Sequence, residues 1–114
     1  MPITSISANL SCRDLEASIA WYAALFGKKP ARRPMAGLAE WTFGKGAEVQ
    51  LYQSPEHAGH GTLTLAVDDI DAERRRLLAE DLAPQDIERG DSRQLMRMHD
   101  PDGNLVVMTS AETA

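Results

Sequence analysis

Apolar and polar positions alternate through Ser7-Ala8-Asn9-Leu10-Ser11-Cys12, and again through Thr62-Leu63-Thr64-Leu65-Ala66-Val67. A period of two places successive side chains on opposite faces, so both segments read as half-buried β-strands. An acidic residue follows each, and the period then lengthens to that of a helix. After Asp14, an N-cap candidate, Leu15, Ile19, Tyr22 and Phe26 share one helical face, and Gly27 supplies the stop. In the second copy Asp69 and Asp71 both suit the cap, and Leu77, Leu78 and Leu82 form the buried stripe. The stretch from Ser7 to Ala17 aligns with Thr62 to Ala72 at a constant offset of 55 residues. An offset near half the chain marks an internal repeat.

Three strand-like runs follow each helix. The first set is Lys28 to Met35, Leu38 to Phe43 and Ala47 to Gln53, divided by Ala36-Gly37 and Gly44-Lys45-Gly46. The second set is Pro84 to Glu88, Arg93 to His99 and Leu105 to Thr109. Its last two runs are joined by Asp100-Pro101-Asp102-Gly103-Asn104, where proline fixes φ and glycine tolerates positive φ. This acidic segment is too short for a calcium loop and reads as a hairpin turn. The loop Ser54 to Gly61 separates modules 1–55 and 60–114 within one domain, 1–114.

Composition narrows the class. The 114 residues are 43% hydrophobic, enough for a core, and 12 basic against 17 acidic residues give a net charge of −5. An acidic surface disfavours nucleic acid, and no apolar window is long enough to span a bilayer. Cys12 is the single cysteine, so no internal disulfide forms and no cysteine pair can hold zinc; with no secretory leader pattern, a cytoplasmic location is expected. Strand parity puts Cys12 with Leu10 on the packing face, which makes it an inert thiol. Arg74-Arg75-Arg76 reads as a solvated helix face. No Gly-rich phosphate loop or nucleophile elbow is present.

Two βαβββ units, an acidic helix cap after each leading strand and Asp100-Pro101-Asp102-Gly103-Asn104 before the last strand together resemble the vicinal oxygen chelate superfamily. That group includes glyoxalase I, extradiol dioxygenases and bleomycin-resistance proteins. The resemblance covers nearly the whole chain and implies an α+β fold, two βαβββ modules forming curled mixed sheets around a cleft, with dimers common. It also implies four metal-ligand positions, usually His, Glu or Gln, His and Glu. Here they fall on Ser7, Gln50, Thr62 and Val107, and only Gln50 suits the role. Catalytic sites for Ni, Fe, Mn or Zn need three or four imidazole or carboxylate donors, so no metal and no other cofactor is expected. His60 shares the parity of Thr62 but lies roughly 6.6 Å further along the strand. His57, His60 and His99 read as exposed loop or turn residues.

The inward face then decides the function. Ser5, Ser7 and Asn9 share it with Glu48, Gln50 and Tyr52, with Thr62 and Thr64, and with Leu105, Val107 and Thr109. The opposite parity is apolar and suits packing under the helices. A polar face with a few apolar members is what ligand pockets require. Trp41, near Glu40 and Phe43, is expected to stack on the ligand, while Trp21 is assigned to a subunit contact or helix packing. The expected function is metal-free binding of a small organic molecule, an antibiotic or aromatic metabolite, in the clefts of a homodimer. The expected ligand contacts are Ser7, Asn9, Trp41, Glu48, Gln50, Tyr52, Thr62 and Val107. Glu40 and Glu48 would tolerate a cationic cargo. Two alternatives stand beside it: a glyoxalase-like lyase, epimerase or dioxygenase with a degenerate metal site, and a partner-binding module.

Overall fold

The computed structural model describes residues 2–111, so the outer limits of the 1–114 domain lie outside the described residues. In chain order the first module is β1 (Ile6–Cys12), α1 (Leu15–Phe26), β2 (Arg32–Met35), β3 (Leu38–Phe43) and β4 (Ala47–Gln53). A short 3-10 turn at Pro55–His57 leads to β5 (Thr62–Ala66), α2 (Ile70–Ala79), β6 (Glu88–Arg89), β7 (Arg93–His99) and β8 (Leu105–Ala111). Each module forms its own four-stranded sheet, ordered β1-β4-β3-β2 and β5-β8-β7-β6. Both are mixed: β1 runs parallel to β4 and β5 to β8, because a helix crosses between the first two strands, while the later strands are joined by antiparallel hairpins.

Local chemistry sets the helix ends. The Asp14 side chain accepts from the Ala17 N–H, and Asp69 accepts from the Ala72 N–H, which decides the second cap in favour of Asp69. Gly27 takes the left-handed conformation at φ 71° that closes α1. The buried stripe of α1 is Leu15, Ser18, Tyr22 and Leu25, with Ile19 and Phe26 half-buried; the expected stripe is thus rotated toward Ser18. In α2 the expectation for Leu78 fails, since it is 46% exposed; Leu77 and, just past the helix, Leu82 are buried as expected, and Ile70 joins them in the core.

Two of the expected strands are shorter than the pattern suggested. Between Lys28 and Met35 only the last four residues are strand, and Pro34 is accommodated because β2 is an edge. Pro84 to Glu88 runs alongside β7, with the Gln85 N–H donating to the Arg97 carbonyl, but the ladder proper covers only Glu88 and Arg89. Asp81 and Ala83, both at positive φ, turn the chain after α2.

One core spans both modules, with Leu10, Tyr22, Trp41 and Leu51 from the first and Leu77, Met96, Met98 and Val106 from the second. The 100–104 turn fastens them. Tyr22 Oη donates to Asp100 Oδ2 at 2.7 Å, and Asp100 Oδ1 accepts from the backbone of Asp102 and Asn104. Asn104 has no exposed surface: its Nδ2 donates to the Ser11 carbonyl at 3.0 Å and to Asp100, while its Oδ1 accepts from the Gly61 N–H at 2.8 Å. One amide therefore bridges β1 to the start of β5. The approach is so close that a Cβ at Gly61 would lie 2.6 Å from Leu10 Cδ2. Arg76 makes a second fastening. Its guanidinium donates to the Ala24 and Leu25 carbonyls at 2.8 and 2.6 Å, supplying a cation to the C-terminus of α1, which has none in its own last turn. The solvated-face reading of the arginine run is therefore overturned at Arg76.

Candidate functional site: a polar face divided between two sheets

Register fixes which side chains share a face. Ser7 pairs with Glu48, Asn9 with Gln50 and Ser11 with Tyr52 across β1 and β4, and Glu40 pairs with Gln50 across β3 and β4. Neighbours across a ladder point the same way, so these groups cover one side of the first sheet. They are joined by side-chain hydrogen bonds. Ser7 Oγ donates to Glu48, Asn9 Nδ2 donates to Gln50 Oε1 at 3.2 Å, and Gln50 Nε2 donates to Glu40 Oε2. Arg32, opposite Glu40 on β2, lies 2.9 Å from Glu40 and 3.5 Å from Glu48. Two carboxylates and one guanidinium leave this half acidic, and the Glu40 side chain is only 8% exposed. A buried carboxylate requires such partners, and Glu40 has them in Arg32 and Gln50.

The second sheet carries the matching half. Thr62 lies beside Leu105 and Thr64 beside Val107, and β7 adds Leu95, Arg97 and His99 in the same rows. Arg97 pairs with Glu88, and Arg93 donates to Thr109 Oγ1 at 3.2 Å. This half is more apolar, and with Arg93, Arg97 and Glu88 it is slightly basic. Of the expected contacts, Ser7, Asn9, Glu48, Gln50 and Tyr52 thus gather on one sheet, and Thr62 and Val107 on the other. None of the hydrogen bonds or ion pairs between described residues joins the two groups. Glu48 and Thr64 do border a common, mostly apolar cavity of about 430 Å³ where the modules adjoin.

Trp41 is the correction. It points to the other side of β3, has no exposed surface, packs against Tyr22 and Phe26, and donates from Nε1 to the Lys28 carbonyl at 2.9 Å. The reason is parity: Glu40 faces the polar side, so its neighbour in the strand must face α1. Sequence reasoning noted Glu40 but missed its partner Arg32, whose place depends on a register shift between Arg32 and Met35. Cys12 is buried, its Sγ donates to the Tyr52 carbonyl, and burial pushes the thiol above its ordinary value. Trp21 is half-buried, edge-on to Tyr22. His57, His60 and His99 are exposed, with His57 Nδ1 at 2.8 Å from Ser54 Oγ.

Comparison with known families is decisive at this point, since a glyoxalase-like domain matches residues 7–109. The chain belongs to the glyoxalase-like domain family. It is thereby a member of the vicinal oxygen chelate superfamily. No curated protein matches this glyoxalase-like chain in sequence. Among solved structures it is similar to a glyoxalase/bleomycin resistance protein from Catenulispora acidiphila DSM 44928, with 27% identity and a TM-score of 0.88 over 96% of this chain and 99% of that one. It shares its fold with a lactoylglutathione lyase from Agrobacterium tumefaciens, at 21% identity and a TM-score of 0.79 over 96% and 95% of the two chains. An antibiotic binding protein from Streptomyces sp. CB03234 is similar at 22% identity and a TM-score of 0.78, over 98% and 97%.

The residues of this glyoxalase-like domain do not fit the metal that many of its superfamily hold. Ser7 and Thr62 offer neutral hydroxyls, Val107 has no donor atom, and Gln50 spends its amide on Glu40 and its carbonyl on Asn9. Among the described residues, no three His, Cys, Asp or Glu side chains are grouped so as to hold an ion.

Proposed function

We propose that this glyoxalase-like protein binds a small organic molecule without a metal, as a homodimer in which the polar face of one module meets the complementary face of a second copy. One observation carries the reading: at the four superfamily ligand positions the only metal-competent side chain, Gln50, is already committed within the Asn9-Gln50-Glu40 chain of hydrogen bonds. Those groups are instead arranged to orient an organic ligand, with donors and acceptors in fixed directions. The edge strands support the dimer. β2 pairs only with β3, and β6 only with β7, so each sheet ends in an outer unpaired edge that a second copy would cover. An antibiotic or aromatic metabolite suits the combination of a hydrogen-bonding half and a more apolar half. The similarity to an antibiotic binding protein supports this class of cargo.

Elemental analysis and light scattering on the purified protein test the proposal, together with a thermal-shift screen of antibiotics that includes bleomycin. The expected result is less than about a tenth of an equivalent of transition metal per chain, a mass of twice 12.5 kDa, and a hit whose affinity falls at least about tenfold in Gln50→Ala. One Ni, Fe, Mn or Zn per chain, lost in Gln50→Ala, would overturn the metal-free reading. A persistent monomer would remove the shared site.

A further inference from the structure

The two helices start alike but for one hydrogen bond. In the first module the N–H of Leu15, the first residue of α1, donates to the side-chain oxygen of Gln53 at 2.9 Å, while Asp14 takes the Ala17 N–H. The internal repeat carries Leu15 onto Ile70. It also carries Gln53 onto Ser110, because Leu10 pairs with Leu51 two residues before the one, and Leu65 with Met108 two residues before the other. Asp69 takes the Ala72 N–H just as Asp14 takes that of Ala17, but the serine side chain is too short to reach the helix. The Ile70 N–H therefore has no hydrogen-bond partner among the described residues, although Ile70 is only 1% exposed. Where the first module has its glutamine amide, the second has a cavity of about 220 Å³, lined chiefly by Asp68, Asp69, Ile70, Asp71, Gln94 and Ser110.

Two side chains lining this cavity are almost fully buried and have hydrogens to spare. Ser110, 3% exposed, makes no side-chain hydrogen bond among the described residues. Gln94, 7% exposed, accepts from Arg89 on its oxygen, and its Nε2 has no partner among them. The two pair across β7 and β8, with parity opposite to Leu95 and Thr109, so they face α2 and not the polar face. A helix N-terminus, a hydroxyl and an amide NH2 thus offer hydrogens to one place. The rim is the reverse. Asp69 is committed to its own helix and Asp71 to Arg89, while the exposed Asp68 has no partner among the described residues and offers acceptors. Three carboxylates repel an anion, and the donors have nothing to accept from an ammonium. A neutral group that accepts on one side and donates on the other matches both, and the Gln53 carboxamide fills that role at α1. We infer that the cavity at the start of α2 is a binding site for a small primary carboxamide or urea. Its carbonyl accepts from the Ile70 N–H and the Ser110 hydroxyl, and its NH2 donates to Asp68. The site lies on the helix side of the second sheet and stands whether or not the polar face takes a ligand.

Propionamide, propionate and propylamine, titrated into the full chain and followed by the backbone amide resonance of Ile70, test the site. Propionamide is expected to shift that resonance saturably and to bind at least about tenfold tighter than either charged analogue. Ser110→Gln gives the second module the side chain of the first. It should abolish the response and raise the melting temperature, because the variant supplies its own carboxamide to the Ile70 N–H. Asp68→Ala changes an exposed position and should keep the fold while weakening propionamide about fivefold. An unmoved Ile70 resonance, equal affinity for propionate or propylamine, or unchanged propionamide binding in Ser110→Gln would overturn the site. A lowered melting temperature in Ser110→Gln would overturn the equivalence with Gln53 on which the choice of a carboxamide rests. Full affinity in Asp68→Ala would overturn the role of that carboxylate.

Discussion

Single residues in this molecule divide sharply between those that hold the modules together and those that face the polar side. Asn104 belongs to the first kind. Replacing it with Ala strands the Gly61 N–H, the Ser11 carbonyl and part of Asp100 in a buried place, so Asn104→Ala should cost about 2 to 4 kcal/mol in urea unfolding. Trp41→Ala should cost about 3 to 5 kcal/mol, and Trp41→Phe should leave ligand affinity unchanged, because the indole is core and not contact surface. Tyr22 gives a pH signature. Burial, with Asp100 beside it, pushes the phenol far above its ordinary 10.0, so the folded state keeps a proton that the unfolded state loses. The stability this confers is complete below pH 10 and is lost as pH rises beyond it, at about 1.4 kcal/mol per pH unit. Urea midpoints measured between about pH 9 and 11 should fall more steeply for the wild type than for Tyr22→Phe, which has no phenol proton to lose.

Elements were legible where a single period ran unbroken. The alternation in β1 and β5 and the caps at Asp14 and Asp69 have local causes, so the duplicated strand-helix start could be read directly from spacing. The edge strands were less so. Their extent depends on pairing partners, a register shift in β2 and two positive-φ residues after α2, none of which leaves a periodic trace. The same holds for Arg76. In sequence it is the third of three arginines; in the fold it caps a helix of the other module, a relation set by a sequence separation of more than fifty residues. Arg76→Met should therefore destabilise by about 1 to 2 kcal/mol, whereas Arg75→Met, at an exposed position, should change the melting temperature little. Of the candidate site, the face was readable from parity, while Arg32 was hidden by the register shift and the separation of the two halves by the docking of the modules.

For the whole molecule, duplication and asymmetry have different consequences. The repeat gives two similar sheets and one shared core, and of the unequal hairpins, three residues against five, the longer fastens the modules together. That fastening imposes an order on assembly. Ser11 waits for a partner 93 positions later, and Tyr22 for one 78 positions later. A chain made from its N-terminus therefore completes every strand of the first module while that module's central carbonyl and its buried phenol still lack their bonds. The first half can collapse early, but it becomes native only when the last hairpin arrives, so the duplicated halves, alike in form, are unequal in time.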